Sequence, residues 1–216
     1  MLGWVSQEKS LELLKKKRFP VVKSAFVKSD KNLLKEAKKL KFPLAMKLIS
    51  PDIIHKSDAK VVVLGIGDNE HLAEAYEQVI KNAKKFKRNI KIEGILVQEM
   101  IQGQEVIVGM KRDEQFGPVI MFGLGGIFVE ILKDVSFRIV PIDKDNALEM
   151  IKEVKGSKIL EGARGQKKVK IDELINIITK TSNLVSDDKK IQELDFNPII
   201  VNDKEAKIVD ARILKE

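Results

Sequence analysis

Leu44 to Ile66 reads LAMKLISPDIIHKSDAKVVVLGI: two apolar runs separated by a polar stretch of nine residues, Ser50 to Asp58. The runs LAMKLI and KVVVLGI have strand length and aliphatic, β-branched character. The stretch SPDIIHKSD, with Pro51 and its charges, must be the loop that joins them. Two chemically pointed residues sit in this frame. Lys47 lies among Leu44, Ala45, Met46, Leu48 and Ile49. If it faces inward its ammonium needs an anion, because a buried charge without one is costly. If the period-two alternation of a strand turns it to solvent, it needs nothing. Spacing alone leaves both open. His55 stands in the loop beside Lys56, Ser57 and Asp58. A loop histidine has no packing role and is often functionless. A neutral imidazole near pH 7 is nonetheless a nucleophile that can take and return a phosphoryl group.

Upstream of this frame, residues 6–18 place Leu11, Leu13 and Leu14 among charges, as in a short amphipathic helix. Pro20 ends it, and VVKSAFV reads as a strand. Asp30 is a cap for a second helix with Leu33, Leu34, Ala37 and Leu40 on one face. Downstream, Asp68 or Asn69 caps a long helix to about Lys85, with Leu72, Ala75, Tyr76, Val79 and Ile80 as its buried stripe. From Glu93 the texture turns to strands: GILVQEM, QEVIVGMKR, PVIMFGL and FRIVPI, joined by short turns as in an antiparallel sheet. Helices are predicted over 143–160 and 171–186, then a closing β-pair, KIQELDFNPIIV and AKIVDARI. The expected organisation is α+β, with an N-terminal lobe over 1–97, a C-terminal lobe over 98–216 and a cleft between them.

Composition narrows the partners. Lys and Arg exceed Asp and Glu by 8 in 216 residues, which admits nucleic acid, an anionic membrane or a phosphate-rich small molecule. The excess is spread and is mostly lysine. Guanidinium forks come only from Arg18, Arg88, Arg112, Arg138, Arg164 and Arg212, and there is one Trp and one Tyr. That argues against a nucleic-acid surface, which favours arginine and exposed aromatics. No cysteine is present, so disulfides, thiolate catalysis and Cys-ligated metals are excluded. The apolar run Phe116 to Leu132 is broken by four glycines, Pro118 and Glu130, and no segment has the length to span a membrane. The N-terminus turns polar within six residues, unlike a signal peptide. A cytoplasmic protein without membrane or nucleic-acid partners is expected.

Three further stretches have chemical potential. GLGG, Gly123 to Gly126, follows the strand VIMF, where glycines let backbone N–H groups approach a phosphate; most such turns simply reverse the chain. EGARGQ sets Arg164 between Gly162 and Gly165, suited to phosphoryl oxygens and equally to an ordinary surface turn. ELDFNP carries Glu193, Asp195 and Asn197 at period two, with Asp210 in VDARI on the next strand. Antiparallel pairing can set Asn197 beside Asp210, giving oxygen ligands for a hard cation such as Mg²⁺, which takes one or two carboxylates and keeps waters and phosphates. The alternative is an edge strand with a solvated polar face and a turn at Asn-Pro.

FPLAMKLISPDIIHKSDAK, ILVQEMIQGQEVIVGM, FGLGGIFVEILKDVSFRIVPI, LEGARG and LDFNPIIV with VDARI occur in this order through nearly the whole chain. Together they closely resemble the β subunits of archaeal ADP-forming acetyl-CoA (acyl-CoA) synthetases and, more distantly, the succinyl-CoA synthetase β subunit. The resemblance implies an ATP-grasp fold with ATP or ADP between two α+β lobes. It implies that Lys47 contacts the nucleotide phosphates and that Val97, Gln98, Glu99 and Met100 read adenine, largely through backbone groups. Glu105 lies beside the ribose, and Gly125 and Gly126 lie at the nucleotide. Asn197 and Asp210 hold Mg²⁺. His55, with Lys56 beside it, relays a phosphoryl group between a partner subunit and ADP. Glu130 balances charge near the phosphohistidine, and Arg138 and Arg164 hold the transferring phosphate. The implied partner is a CoA-binding α subunit in a hetero-oligomer such as α2β2. One departure stands out: Lys60 and Val61 follow Ala59 where broader relatives carry phosphate-cradling glycines, which puts a glycine cradle at that point in doubt. The rival readings are a self-contained ATP-grasp carboxylate ligase, for which no further domain remains to bind a second substrate, and a non-catalytic nucleotide-binding module.

Overall fold

A computed structural model describes residues 2–53, 59–126, 133–162 and 167–216. His55, Lys56, Glu130 and Arg164 therefore lie outside the described residues. The chain divides into two compact units, one formed by Val22–Met100 and the other by Met1–Val21 with Ile101–Glu216.

The smaller unit is a four-stranded antiparallel sheet in the order β2 (Ser24–Val27), β5 (Gly94–Glu99), β3 (Leu44–Ile49), β4 (Val62–Ile66). Helices α2 (Leu33–Ala37) and α3 (Asn69–Phe86) pack on this sheet. Alternation decides which strand residues meet the helices: Leu44, Met46 and Leu48 of β3 join Ile95 and Val97 of β5 in one core. Leu72, Ala75, Val79 and Ala83 complete that core at helical spacing. The Asp68 carboxylate accepts the His71 N–H at 2.9 Å and starts α3, a cap worth about 1 kcal/mol. The second predicted helix is shorter than expected. A 3₁₀ turn over Asp30–Asn32 precedes α2, and the Asp30 side chain bonds the adjacent Lys31 N–H instead of one two or three residues on.

The larger unit is an antiparallel sheet in the order β1 (Gly3–Val5), β11 (Ala211–Lys215), β9 (Ile191–Val201), β6 (Gln104–Asp113), β7 (Gly117–Leu124), β8 (Val135–Ile139). β10 (Ala206–Ile208) pairs with the far end of β9. Helices α1 (Gln7–Lys16), α4 (Lys144–Glu153) and α5 (Ile171–Asp187) supply Leu11, Leu14, Met150, Ile151, Leu174, Ile177 and Ile178 to its core, against Phe122 and Phe196 of the strands. The expected boundary at 97–98 differs from this division. Residues up to Val21 belong with the C-terminal unit because β1 pairs with β11, Gly3 opposite Lys215, and α1 packs on β11. The helix expected over 143–160 stops at Glu153. The Asp134 carboxylate accepts the N–H groups of Lys155 and Gly156 at 2.9 and 2.8 Å, which draws the chain out of the helix and into a 3₁₀ turn over Lys155–Ile159. Among the described residues no helix is long and apolar enough to cross a membrane.

Candidate functional site

Lys47 is buried, with 8% exposure, so the inward alternative holds. It lies opposite Leu96 on β5 and Val62 on β4. It shares its sheet face with Ala45 and Ile49, the face turned away from the helix core formed by Leu44, Met46 and Leu48. Gln98, 1% exposed, sits opposite Ala45 and so is the diagonal neighbour of Lys47. Burial takes the Lys47 ammonium out of water, an environment that favours anionic or hydrogen-bonding partners for it.

The strand expected to read a purine carries its own constraints. Val97 and Gln98 lie in β5, which is paired on both edges. The N–H of Glu99 donates to the Lys23 carbonyl, and that of Met100 to the Pro43 carbonyl, each at 3.0 Å. Those two N–H groups are committed within the sheet, so a base edge would meet carbonyls or residues further along. The Glu99 carboxylate accepts the Lys41 N–H at 2.9 Å and faces the Lys23 ammonium at 3.6 Å. The Met100 sulfur accepts the Gly65 N–H at 3.0 Å.

In the larger unit the structure brings Glu105, Gly125 and Gly126 together. The Gly125 N–H donates to the Glu105 carbonyl at 2.7 Å. With Gln104 and Ile159 these residues border a hollow of about 310 Å³. A Cβ on Gly125 would lie 2.7 Å from the Glu105 Cβ and 3.1 Å from its carbonyl, so only glycine fits. Gly126 adopts φ +63°, which glycine alone takes at no cost. Gly125→Ala is expected to destabilise the unit by about 1–3 kcal/mol. Thermal unfolding checks this; an alanine variant that melts like wild type would show that the close approach to Glu105 does not require glycine.

Arg138 is placed elsewhere. It lies on β8 opposite Ile120, five residues along β7 from Gly125, or about 17 Å at strand rise. Its guanidinium pairs with Glu153 at 2.8 Å and faces Glu149 at 3.9 Å, both on α4. The structure thus gives it a helix-anchoring role and does not gather it with the glycines.

Asn197 and Asp210 do meet. The Asn197 N–H donates to the Asp210 carbonyl at 3.2 Å, in register with Phe196 opposite Ala211. Asn197 is exposed and Asp210 half-buried, while the flanking Phe196 and Ala211 are fully buried. Among the described residues no group of three or more acidic or histidine side chains gathers that could hold a metal ion. Asp195 lies two residues before Asn197 and opposite Arg212. Burial pushes its carboxyl above the usual range, Arg212 draws it back, and Asp210 adds to the rise. Sequence reading missed the weight of Arg212, which no local signal marks. A hollow of about 300 Å³ on the same sheet is lined by Trp4, Val119, Met121 and Phe137 with Lys111 and Glu193.

The model of the ATP-grasp domain family matches residues 2–214. The β subunit of acetate–CoA ligase [ADP-forming] I from Pyrococcus furiosus is 46% identical over 204 residues, covering 94% of this chain and 88% of that one. An acetyl-coenzyme A synthetase of Ca. Korarchaeum cryptofilum, solved with coenzyme A and Ca-AMPCP, superposes with a TM-score of 0.95 at 38% identity, covering 99% of this chain and 93% of that one. The same enzyme solved with coenzyme A and Mg-AMPPCP, its phosphohistidine segment pointing towards the nucleotide-binding site, gives a TM-score of 0.87 at 34% identity, with the same coverage. The smaller unit with its buried lysine and the larger one with its paired Asn and Asp are thus the parts of an ATP-grasp fold, and the chain belongs to the ATP-grasp family of ADP-forming acetate–CoA ligase β subunits.

Proposed function

We propose that this chain is the nucleotide-binding subunit of an ADP-forming acyl-CoA synthetase, catalysing acyl-CoA + ADP + phosphate ⇌ carboxylic acid + CoA + ATP together with a CoA-binding partner. The observation that carries the reading is the backbone hydrogen bond that sets Asn197 of β9 beside Asp210, the residue before β11, in a chain of this family. In this reading Lys47 contacts the nucleotide phosphates, and Val97 to Met100 contribute to the adenine site. Glu105 lies by the ribose, and Gly125 and Gly126 line the nucleotide site. Asn197 and Asp210 hold Mg²⁺, which when bound neutralises charge on the phosphoryl oxygens. His55 accepts a phosphoryl group made with the partner and passes it to ADP, with Lys56 and Arg164 steadying its oxygens and Glu130 balancing the charge. Phosphoryl transfer asks the protein for position and charge neutralisation rather than covalent machinery, and a site of Lys, backbone amides and Mg²⁺ supplies these.

The test is to incubate the purified chain with γ-labelled Mg·ATP, alone and with a candidate CoA-binding subunit. The expected result is an acid-labile, alkali-stable label on this chain, as for a phosphohistidine. Nucleotide binding without label under any condition would replace this reading with a non-catalytic nucleotide-binding module. Full turnover by the chain alone would replace it with a self-contained ligase.

A further inference from the structure

Strands β9 and β11 run antiparallel, with Phe196 opposite Ala211, Asp195 opposite Arg212 and Leu194 opposite Ile213. Leu194, Phe196, Ala211 and Ile213 are all buried, so their face of the two strands belongs to the core. Alternation puts Asp195 and Arg212 on the other face. It carries Asn197 and Asp210 there too, one step further along, where the Asn197 N–H donates to the Asp210 carbonyl. Asp195 is half-buried and Arg212 exposed. The charged groups act on one another: Arg212 favours the ionised form of Asp195, and Asp210 opposes it. On its other side Asp195 stands opposite Gly109 of β6, which has no side chain to set against it.

The next row of the same face holds Glu193, with Lys111 of β6 opposite it and the Lys111 ammonium 3.4 Å from its carboxylate. Both carboxylates of β9 on this face therefore have a cation beside them, but the two cations differ. Lys111 is a point charge, and its partner Glu193 lies four residues along β9 from Asn197, about 13 Å at strand rise. Arg212 is a planar fork of N–H donors, so one edge can face Asp195 while another donates to an oxygen beside Asp210. Charge decides what that oxygen belongs to. Two carboxylates alone would neutralise a divalent cation and leave no attraction for a phosphate. With the guanidinium the loaded cluster stays net positive.

We propose that Arg212 is a phosphate-binding residue of the nucleotide site: its guanidinium, on the sheet face that carries Asn197 and Asp210, donates to the terminal phosphate of the nucleotide whose cation those two residues hold. This rests on the functional reading above, in which that cation arrives with an adenine nucleotide. A guanidinium matches the geometry of phosphate oxygens, and a hydrogen bond between two charged groups is among the stronger ones.

The measurement is Mg·ADP affinity by titration calorimetry on the purified chain, with the melting temperature as a check on folding. Arg212→Gln is expected to weaken Mg·ADP binding about thirtyfold, as for the loss of a hydrogen bond to a charged group. It should melt near wild type, because the side chain is exposed. Lys111→Gln removes the same charge from the same face and is expected to bind like wild type. An Asp195→Asn background isolates the contact, since the guanidinium then has no carboxylate to balance; adding Arg212→Gln there should still cost about thirtyfold. If the double variant binds no more weakly than Asp195→Asn alone, the proposal is overturned and Arg212 is only a counter-ion for Asp195. If Lys111→Gln loses as much affinity as Arg212→Gln, it is overturned in favour of the general field of that face. Failure of the wild-type chain to bind any adenine nucleotide would overturn the functional reading itself, and this proposal with it.

Discussion

His55→Ala should leave the chain unlabelled by γ-labelled Mg·ATP, while His71→Ala should label like wild type. The comparison is decisive because these are the only two histidines in the chain. His71 is an exposed residue in the first turn of α3, and its Nδ1 lies 2.8 Å from the Asp68 carboxylate. That hydrogen bond raises the imidazole pKa, so His71 stays protonated to higher pH than an ordinary histidine. The Nδ1 nitrogen engaged by Asp68 is unavailable for attack. Its structural reason for being there is complete: together with Asp68 it helps open the helix. His55 has no such duty visible in its sequence neighbourhood. The expected loss in His55→Ala is of all acid-labile label within detection, with Mg·ADP affinity unchanged. Label that persists in His55→Ala and disappears in His71→Ala would sink the relay assignment.

The fold was largely legible because its strongest signals are local. Asp68 before Asn69–Phe86 and Asp143 before Lys144–Glu153 are carboxylates at N-cap positions, and both accept the N–H three residues on. The strands around Lys47 were legible from their length and aliphatic content. What failed was what sequence neighbours do not encode. β1 is three residues long and exists because β11 offers it an edge. The break after Glu153 comes from Asp134, about twenty residues upstream. The unit boundary shifted for the same reason, since a strand's membership is settled by its partner. At the site, the sequence left open whether Asn197 meets Asp210 or lies on a solvated edge strand, and the Asn197 N–H donates to the Asp210 carbonyl. The burial of Lys47 was not decided by alternation, since β3 is buried on both faces and period two says only which face, not whether that face is wet. Arg138 shows the converse: a residue chosen for its motif is held by two glutamates of α4.

Asp210→Asn should abolish the Mg²⁺ dependence of ADP binding. Of the two expected ligands only Asp210 carries charge, and a hard dication bound by so few protein groups depends on that carboxylate. The substitution keeps the shape of the side chain. The backbone bond from Asn197 to the Asp210 carbonyl does not involve it, so the strand pairing survives and the melting temperature should stay near that of wild type. The expected loss in Mg·ADP affinity is about a hundredfold, 2.7 kcal/mol on the usual scale. Affinity for ADP in the presence of a chelator should hold or rise, because a negative charge beside the phosphates has been removed. This opposite response is the signature of a metal ligand, since a structural defect would weaken both forms alike. Two outcomes would overturn the assignment: Asp210→Asn binding Mg·ADP like wild type, or Asp210→Asn weakening the metal-free and metal-bound nucleotide equally. If Mg²⁺ dependence instead vanished on Asp195→Asn and survived Asp210→Asn, the ligand pair would be Asp195 and Asn197, both on β9, and the cation would sit on one strand's face rather than across the pair.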